Sequence, residues 1–325
     1  MISFLPSDFT WRVATNGHHW TTARVSDGEA DESFLSDFIP VGSAGYRNIR
    51  PLAGHSGLFR EFAATALDEA SIKAFADRYG MLGGQVPIPL AARPGRTGSL
   101  MGVGEPLALW EKEITDMRCC VELHEHARKE NLEALARHIH WSDGRVRYMS
   151  HPDWKPSDGI PVDERLSFSD IVREAANPQL FQSLRYGDVV TPALWYVRSE
   201  INSRISEQTS PRLLWDVDSS SLITRILPKN LFGAMWLQFA LSVERKSEFR
   251  QCSHCGKWFE LSPSMARSDK QFCSTACRVK AFRQRKLEAP KEVRQAGEKG
   301  SVNTAAADAA EPEKLQNRTP PKKNR

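Results

Sequence analysis

Four of the six cysteines of this 325-residue chain lie in one short stretch, in two pairs. Cys252 and Cys255 form a C-x2-C pair with Gly256 next, and Cys273 and Cys277 form a C-x3-C pair after 17 intervening residues. The first spacing lets two thiolates reach one ion from a tight turn, and the second places two ligands one helical turn apart. Four soft thiolates at tetrahedral reach predict one structural Zn²⁺, with no coordination position left open for catalysis.

The elements that position these ligands follow from the same spacing. A knuckle at the first pair, a hairpin, and a helix that begins near Cys273 and runs to Lys286 make a treble-clef type of zinc site. Four cysteines also hold iron–sulfur clusters, but a compact knuckle and helix favour zinc. We expect Trp258, Phe259, Phe272 and Phe282 to form a small apolar core beside the metal.

Basic residues are concentrated around the cysteines. Residues 250–286 carry nine Lys or Arg and two acids, whereas the whole chain has a net charge of only +4, so residues 1–249 are net acidic. Some of this charge, at Lys257, Arg267 and Lys270, offsets the negative zinc–thiolate site.

The remaining cations of the predicted exit helix are candidates for contacts with nucleic acid. They are Arg278, Lys280, Arg283, Arg285 and Lys286. They surround the helix instead of lining one face, which suits contacts with DNA phosphates better than reading of bases. The alternative is that these charges only solvate a small module.

This stretch resembles the CGNR-type zinc finger of bacterial proteins. The likeness rests on the four cysteines and on neighbouring residues: Trp258, Phe259, Arg267, Phe272, Ser274 and the run Ala281–Arg285. It covers about forty residues, and Cys277-Arg278-Val279-Lys280 stands where the family has Gly-Asn-Arg after its last ligand. The resemblance implies a bacterial transcription regulator that binds DNA, with these four cysteines as ligands. The stretch Gly57–Gly83 also resembles a segment of uncharacterised bacterial proteins that end in such a finger.

The rest of the chain predicts a mainly α-helical body with minor β structure, an α+β fold. Asn16-Gly17 predicts a hairpin in a β-rich segment 1–50. A helical body follows at 51–245, with short helices at Leu58–Phe62 and after Asp68, a long helix from Leu107, a helix capped at Thr191, and a buried helix at 230–243. Residues 83–106 read as a loop, and the segments 212–218 and 221–227 as either paired strands or helix ends. The zinc module occupies 246–287, and the polar tail 288–325 reads as disordered.

Other candidate sites are weaker. Cys119, Cys120, His124, Glu125 and His126 suggest a second metal site, but His126 lies on another face of the helix. The helix stripe explains His124 as a core residue, and the two cysteines suit small buried hydrophobic positions. No Ser–His–Asp or paired-carboxylate arrangement stands out, so an enzyme is not favoured. The most apolar run, Leu231–Val243, is too short to cross a bilayer, and no signal peptide is evident, which predicts a cytoplasmic protein without a membrane partner.

Two functions therefore stay open. The first is a zinc-containing DNA-binding regulator, whose helical body forms a homodimer or senses a small effector. The second is a protein-interaction or scaffold protein in which zinc has only a structural role. Salt-dependent DNA binding separates them.

Overall fold

A computed structural model of the chain describes residues 9–23, 31–37, 45–53, 55–90, 100–142, 145–148, 185–216, 219–261 and 270–288. Within these ranges the fold is α+β, as predicted, with seven helices and twelve strands. The helices are α1 (Leu58–Ala63), α2 (Glu69–Tyr79), α3 (Leu107–Arg128), α4 (Leu132–Ala136), α5 (Val190–Gln208), α6 (Leu231–Glu244) and α7 (Thr275–Glu288).

The strands form small antiparallel sheets. They are β1 (Trp11–Ala14), β2 (His19–Ala23), β3 (Glu32–Ser36), β4 (Tyr46–Ile49), β5 (Val86–Leu90), β6 (Leu100–Pro106), β7 (Ile139–Ser142), β8 (Arg145–Tyr148), β9 (Thr209–Asp216), β10 (Ser221–Pro228), β11 (Glu248–Gln251) and β12 (Trp258–Leu261). One sheet has four strands in the order β2-β3-β6-β5, and the pairs β1–β4, β7–β8, β9–β10 and β11–β12 form two-stranded ribbons.

The main core lies among α1, α3, α5 and α6. Its largest fully buried side chains are Trp110, Trp236, Phe59, Phe62 and Phe239. Nearly every residue of the first two turns of α6 is buried, which is typical of a helix in the centre of a core. Burying each such large apolar side chain stabilises the fold by roughly 1.5–3 kcal/mol.

The helices predicted with defined ends are confirmed. Asp68 caps α2 by accepting a hydrogen bond from the Ser71 amide, and the helix ends before Gly80. Asn230 caps α6 in the same way through the Gly233 amide. These short polar side chains satisfy amides that have no partner inside the helix, which fixes where each helix begins.

The predicted hairpin at Asn16-Gly17 is wrong in its pairing. A turn does form there, since the Gly17 amide donates to the Ala14 carbonyl. However, β1 pairs with β4 and β2 pairs with β3. The next amide, that of His18, donates to the Asp77 carboxylate of α2 at 2.6 Å, so the chain is directed onto the helix and away from β1.

The predicted loop at 83–106 is also wrong in part, because β5 and β6 pair within it. The stretch is rich in glycine and proline, which predicts a loop, and Pro87 and Pro89 have no amide hydrogen to donate within a sheet. The two prolines alternate along β5, so both missing amides fall on the same side of the strand. β5 is at one edge of the four-stranded sheet, and an edge strand has one side whose amides need no partner.

Two further segments test the predictions made from the sequence. The helix expected to be capped at Thr191 begins at Val190, where the Asp188 carboxylate accepts hydrogen bonds from the amides of Val190 and Thr191. Of the segments 212–218 and 221–227, for which the sequence allows strands or helix ends, residues 212–216 and 221–227 lie in the ribbon β9–β10. Residues 217 and 218 lie outside the described residues.

The chain divides into two compact units, Met1–Cys273 and Ser274–Arg325. Helices α1–α6 and all twelve strands belong to the first unit, and α7 belongs to the second. The expected disorder of the tail beyond residue 288 lies outside the described residues. In the described part of the chain, no helix is long and apolar enough to cross a membrane.

Candidate metal centre

The first cysteine pair lies in the connection between β11 and β12. The strands pair from Glu248 opposite Leu261 to Gln251 opposite Trp258, which leaves Cys252–Lys257 as the turn. The Cys252 amide donates to the Lys257 carbonyl and the Gly256 amide to the Cys252 carbonyl, each at 2.9 Å. Gly256, the residue that closes this turn, has a φ of 70°, a left-handed conformation that favours glycine.

The segment before the third cysteine is held against this turn by hydrogen bonds to its backbone carbonyls. The Ser253 amide donates to the Gln271 carbonyl, and the Arg250 guanidinium donates to the Lys270 carbonyl, both at 3.0 Å. These bonds bring the Sγ atoms of Cys255 and Cys273 to 3.7 Å from each other. Two cysteines eighteen residues apart in sequence are therefore brought together by hydrogen bonds to main-chain carbonyls, which the cysteine spacing does not indicate.

The fourth cysteine lies in the first turn of α7. Ser274 precedes the helix, and its hydroxyl accepts a hydrogen bond from the Cys277 amide at 3.2 Å, the usual bond of a helix cap. The helix thus begins two residues after Cys273, close to the predicted start. Cys273 stands just outside the helix, and Cys277 is inside it.

The four Sγ atoms all lie within 4.8 Å of one another. A tetrahedral ion with metal–sulfur bonds of about 2.3 Å requires sulfur–sulfur distances of about 3.8 Å. The distance of 3.7 Å between Cys255 and Cys273 matches that requirement. The four cysteines are therefore positioned to bind one metal ion, and the donor set fits a structural zinc module.

The backbone also prepares the Cys252 thiol for a metal. Burial alone would raise the pKa of this thiol, but hydrogen bonds from the backbone amides of Cys273, Cys255 and His254 outweigh burial and lower the pKa to about 6. The thiolate, which is the form that binds metals, is thus favoured near neutral pH.

Two of the three cations expected to offset the thiolates have described positions. The Lys270 ammonium lies 5.1 Å from the centre of the Phe259 ring. The Lys257 ammonium lies 2.8 Å from Nε2 of His55, a residue of the body. Arg267 lies outside the described residues.

The β11–β12 ribbon packs on α1, a contact that the sequence analysis did not find. Arg60 of α1 is buried and forms an ion pair with Glu125 of α3. Its guanidinium carbon lies 4.5 Å from the centre of the Phe249 ring and 5.3 Å from that of Trp258. The only signal in the sequence is a buried-face arginine beside Phe59 and Phe62 in the short helix Leu58–Ala63, whose other charged residue is Glu61.

The predicted aromatic core is confirmed only in part. Phe259 is buried, and Trp258 and Phe272 are half-buried. Phe282, by contrast, is 62% exposed and is not a core residue. Phe282 lies on α7 among charged residues, so its proximity in sequence to the cysteines does not bury it.

The cations of α7 are open to solvent. Arg278, Lys280, Arg283 and Arg285 are all exposed. Among the residues that the structure describes, none of these four has a carboxylate within ion-pair distance. Lys286 is in the last turns of the same helix. Whether these five residues contact nucleic acid stays a prediction.

The second candidate metal site does not form. Across the described residues, the four C-terminal cysteines are the only group of donors close enough to hold an ion. Cys119 and Cys120 are buried, and burial raises the pKa of the Cys120 thiol, which keeps it protonated. His124 packs edge-on against Phe239, with ring centres 6.0 Å apart, as a core residue.

Comparison with known proteins adds no relative. No protein-family model, no curated protein and no solved structure matches this chain.

Proposed function

We propose that the chain is a DNA-binding protein whose four clustered cysteines hold one structural Zn²⁺ and whose helix α7 contacts DNA phosphates. The observation that carries this proposal is the exposure of Arg278, Lys280, Arg283 and Arg285 on a helix that begins beside the last ligands. A zinc site filled by four thiolates has no open position for a substrate, so its role is to fix the start of that helix.

The arrangement of the cations favours phosphate contacts over base readout. At 100° per residue, Arg278 and Arg285 share one edge of α7, and Lys280 and Arg283 share the opposite edge. Contacts on two edges fix a helix against the DNA backbone but carry little sequence information. Preference for a particular DNA sequence, and with it transcription regulation, then requires a second copy or another part of the chain.

The test is a salt series of DNA binding by the full-length, zinc-loaded protein. Fluorescence anisotropy with a random-sequence duplex should give a slope of log K against log salt of roughly −4 to −5, if about four to six cations neutralise phosphates. Replacing Lys280, Arg283, Arg285 and Lys286 with Ala should flatten that slope and weaken binding to every duplex alike. Zinc content should not change, because none of the four is a ligand.

A matched control separates local from general charge effects. Lys129, Arg137, Arg212 and Arg245 are exposed cations of the body. Their replacement by Ala removes the same formal charge and should leave the slope nearly unchanged. Absence of binding by the zinc-loaded protein at low salt would refute the DNA-binding proposal.

One observation favours the alternative, a protein-interaction module with purely structural zinc. Val279 and Phe282 are 39% and 62% exposed and lie three residues apart on α7, so they share one side of the helix. An exposed pair of this kind suits a small apolar contact with a partner protein. The protein-interaction function replaces the DNA-binding proposal if the salt series shows no DNA binding.

A further inference from the structure

A cavity of about 280 Å³ opens on the body, within the first compact unit and separate from the cysteines. Its walls come from β1, from the turn before β2, from the residue after β3, from the loop between α2 and β5, and from the junction of β10 and α6. This volume is slightly below the usual range for small-molecule sites, about 300–1,000 Å³. A small metabolite fits it better than a large cofactor.

The cavity is lined by two cations and one acid. Arg12 and Lys229 are exposed side chains, whereas Asp37 is buried, with 7% of its surface exposed. The Arg12 guanidinium lies 5.0 Å from the centre of the Tyr46 ring, and the Tyr46 hydroxyl donates to Asp37 at 3.0 Å. One tyrosine therefore holds both a cation and the acid in place.

The Asp37 carboxylate is incompletely compensated within the described part of the chain. It accepts the Tyr46 hydrogen bond, and no described cation lies within ion-pair distance of it. A buried carboxylate is costly unless a positive group pairs with it. An ammonium group of a ligand would supply that pairing.

The walls of the cavity are held by hydrogen bonds within the body. The buried His18 is fixed by Asp77, whose carboxylate lies 2.6 Å from the His18 amide and 3.1 Å from its Nδ1. The buried Glu105 accepts hydrogen bonds from the amides of Leu82, Gly83 and Gly84 at 2.6–3.0 Å. A site fixed before binding loses less conformational entropy when a ligand binds.

We propose that this cavity binds a small dicarboxylic amino acid. Asp37 would meet the ammonium group, and Arg12 and Lys229 would each meet a carboxylate. Two carboxylates and one ammonium are the charge complement of the two cations and one acid that line the cavity. The site stands independently of the cysteines and of DNA binding, since it shares no residue with either.

The experiment is a calorimetric titration of the full-length, zinc-loaded protein with L-glutamate as the probe, in the absence of DNA. Binding should saturate. L-glutamine lacks one carboxylate and glutarate lacks the ammonium, so each should bind about ten-fold or more weakly, the usual effect of losing a charged hydrogen bond. Glutarate binding as tightly as L-glutamate would overturn the assignment of Asp37 to an ammonium.

Three variants assign the contacts. Arg12→Gln and Lys229→Gln should each weaken L-glutamate binding about ten-fold or more. Asp37→Asn, which keeps the shape of the side chain, should weaken L-glutamate binding but not glutarate binding. Arg212→Gln, an exposed arginine of β9 that does not line the cavity, is the matched control and should bind as the natural protein does.

The two cations keep the test decisive if Asp37→Asn does not fold, because both side chains are exposed. The Lys229 ammonium also donates to the Glu207 carbonyl at 2.6 Å, so Arg12→Gln is the variant with less effect on the fold. No saturable heat with millimolar L-glutamate would overturn the proposal. So would affinities unchanged in both Arg12→Gln and Lys229→Gln.

Discussion

At the scale of single residues, the cysteines show how the main chain prepares a metal site. The amides of His254, Cys255 and Cys273 point to the Cys252 thiol and favour its thiolate, although the side chain is buried. These amide hydrogen bonds partly offset the negative charge of a four-thiolate site, in addition to any effect of nearby lysines. Formation of the Cys252 thiolate therefore depends on the backbone conformation around this residue as well as on the spacing of the cysteines.

The first prediction concerns the metal. The natural protein should contain about one zinc per chain, and Cys273→Ser should lose most of it, because a serine hydroxyl does not form an equivalent anionic ligand at neutral pH. Metal analysis of purified protein checks this. Cys119→Ala, which removes a buried thiol outside the cluster, should keep its zinc. Clearly less than one zinc in the natural protein, with no iron–sulfur absorbance, would contradict the assignment.

The second residue-scale prediction concerns Glu105. Burial raises the pKa of this carboxyl from 4.5 to about 7, against the opposing effect of three backbone amides. The folded state therefore binds the proton more tightly than the unfolded state does. Stability from this group is fully present below pH 4.5 and is lost as pH rises through about 7. The loss amounts to at most about 3 kcal/mol.

Glu105→Gln should reduce this pH dependence, since a glutamine resembles the protonated acid at every pH. Urea unfolding at pH 5 and pH 8 measures the difference, and it should be smaller in the variant than in the natural protein. Glu133→Gln, at an exposed position of α4, should leave the difference unchanged. Equal pH dependence in all three proteins would show that Glu105 does not ionise in this range.

At the scale of elements, the β11–β12 ribbon links the cysteines to the body. Besides the Arg60 contacts, the Ser56 hydroxyl accepts a hydrogen bond from the Glu260 amide at 3.0 Å. A two-stranded ribbon is marginally stable alone, so it depends both on this packing and on the metal at its turn. The boundary predicted at residue 246 stays a prediction.

Removing zinc with a chelator should loosen the module but leave the body folded. Hydrogen exchange should become faster in β11, β12 and α7, and to a lesser degree in α1, which packs on the ribbon. The buried helix α6 should stay protected, because its core contacts do not involve the metal. Mass spectrometry of amide exchange measures this, and re-addition of zinc is the control. Equally fast exchange in α6 would show that the module and the main core unfold together.

At the scale of the whole molecule, charge is separated along the sequence. Residues 250–286 carry a strong positive balance, while residues 1–249 are net acidic. A polyanion is therefore attracted to one end of the chain and repelled by most of the rest. The small cavity is on the acidic body, yet two of the charged side chains lining it are cations. The charged side chains that line the cavity are mainly positive, whereas residues 1–249 are net negative. This difference is a reason to treat the cavity as a separate site.

The sequence by itself determined the features that depend on nearest neighbours along the chain. The cysteine spacing predicted a turn at Cys252–Cys255 and a helix start near Cys273, and Asp68 predicted where α2 begins. These predictions succeeded because a cap or a metal knuckle is built by residues a few positions apart. The exposed position of Phe282 shows the limit, since burial depends on what else packs there.

Only the tertiary structure decided what contacts are made over long distances. The partner of β1 is β4 and not β2, because the Asp77 carboxylate of a later helix takes up the His18 amide. The prolines of β5 are tolerated because that strand is at an edge, which no local pattern reveals. The same cause explains why Arg60 packs on the β11–β12 ribbon. It also explains why Arg12, Asp37 and Lys229 line one cavity. Each joins residues far apart in sequence whose proximity is set by the packing of the whole core.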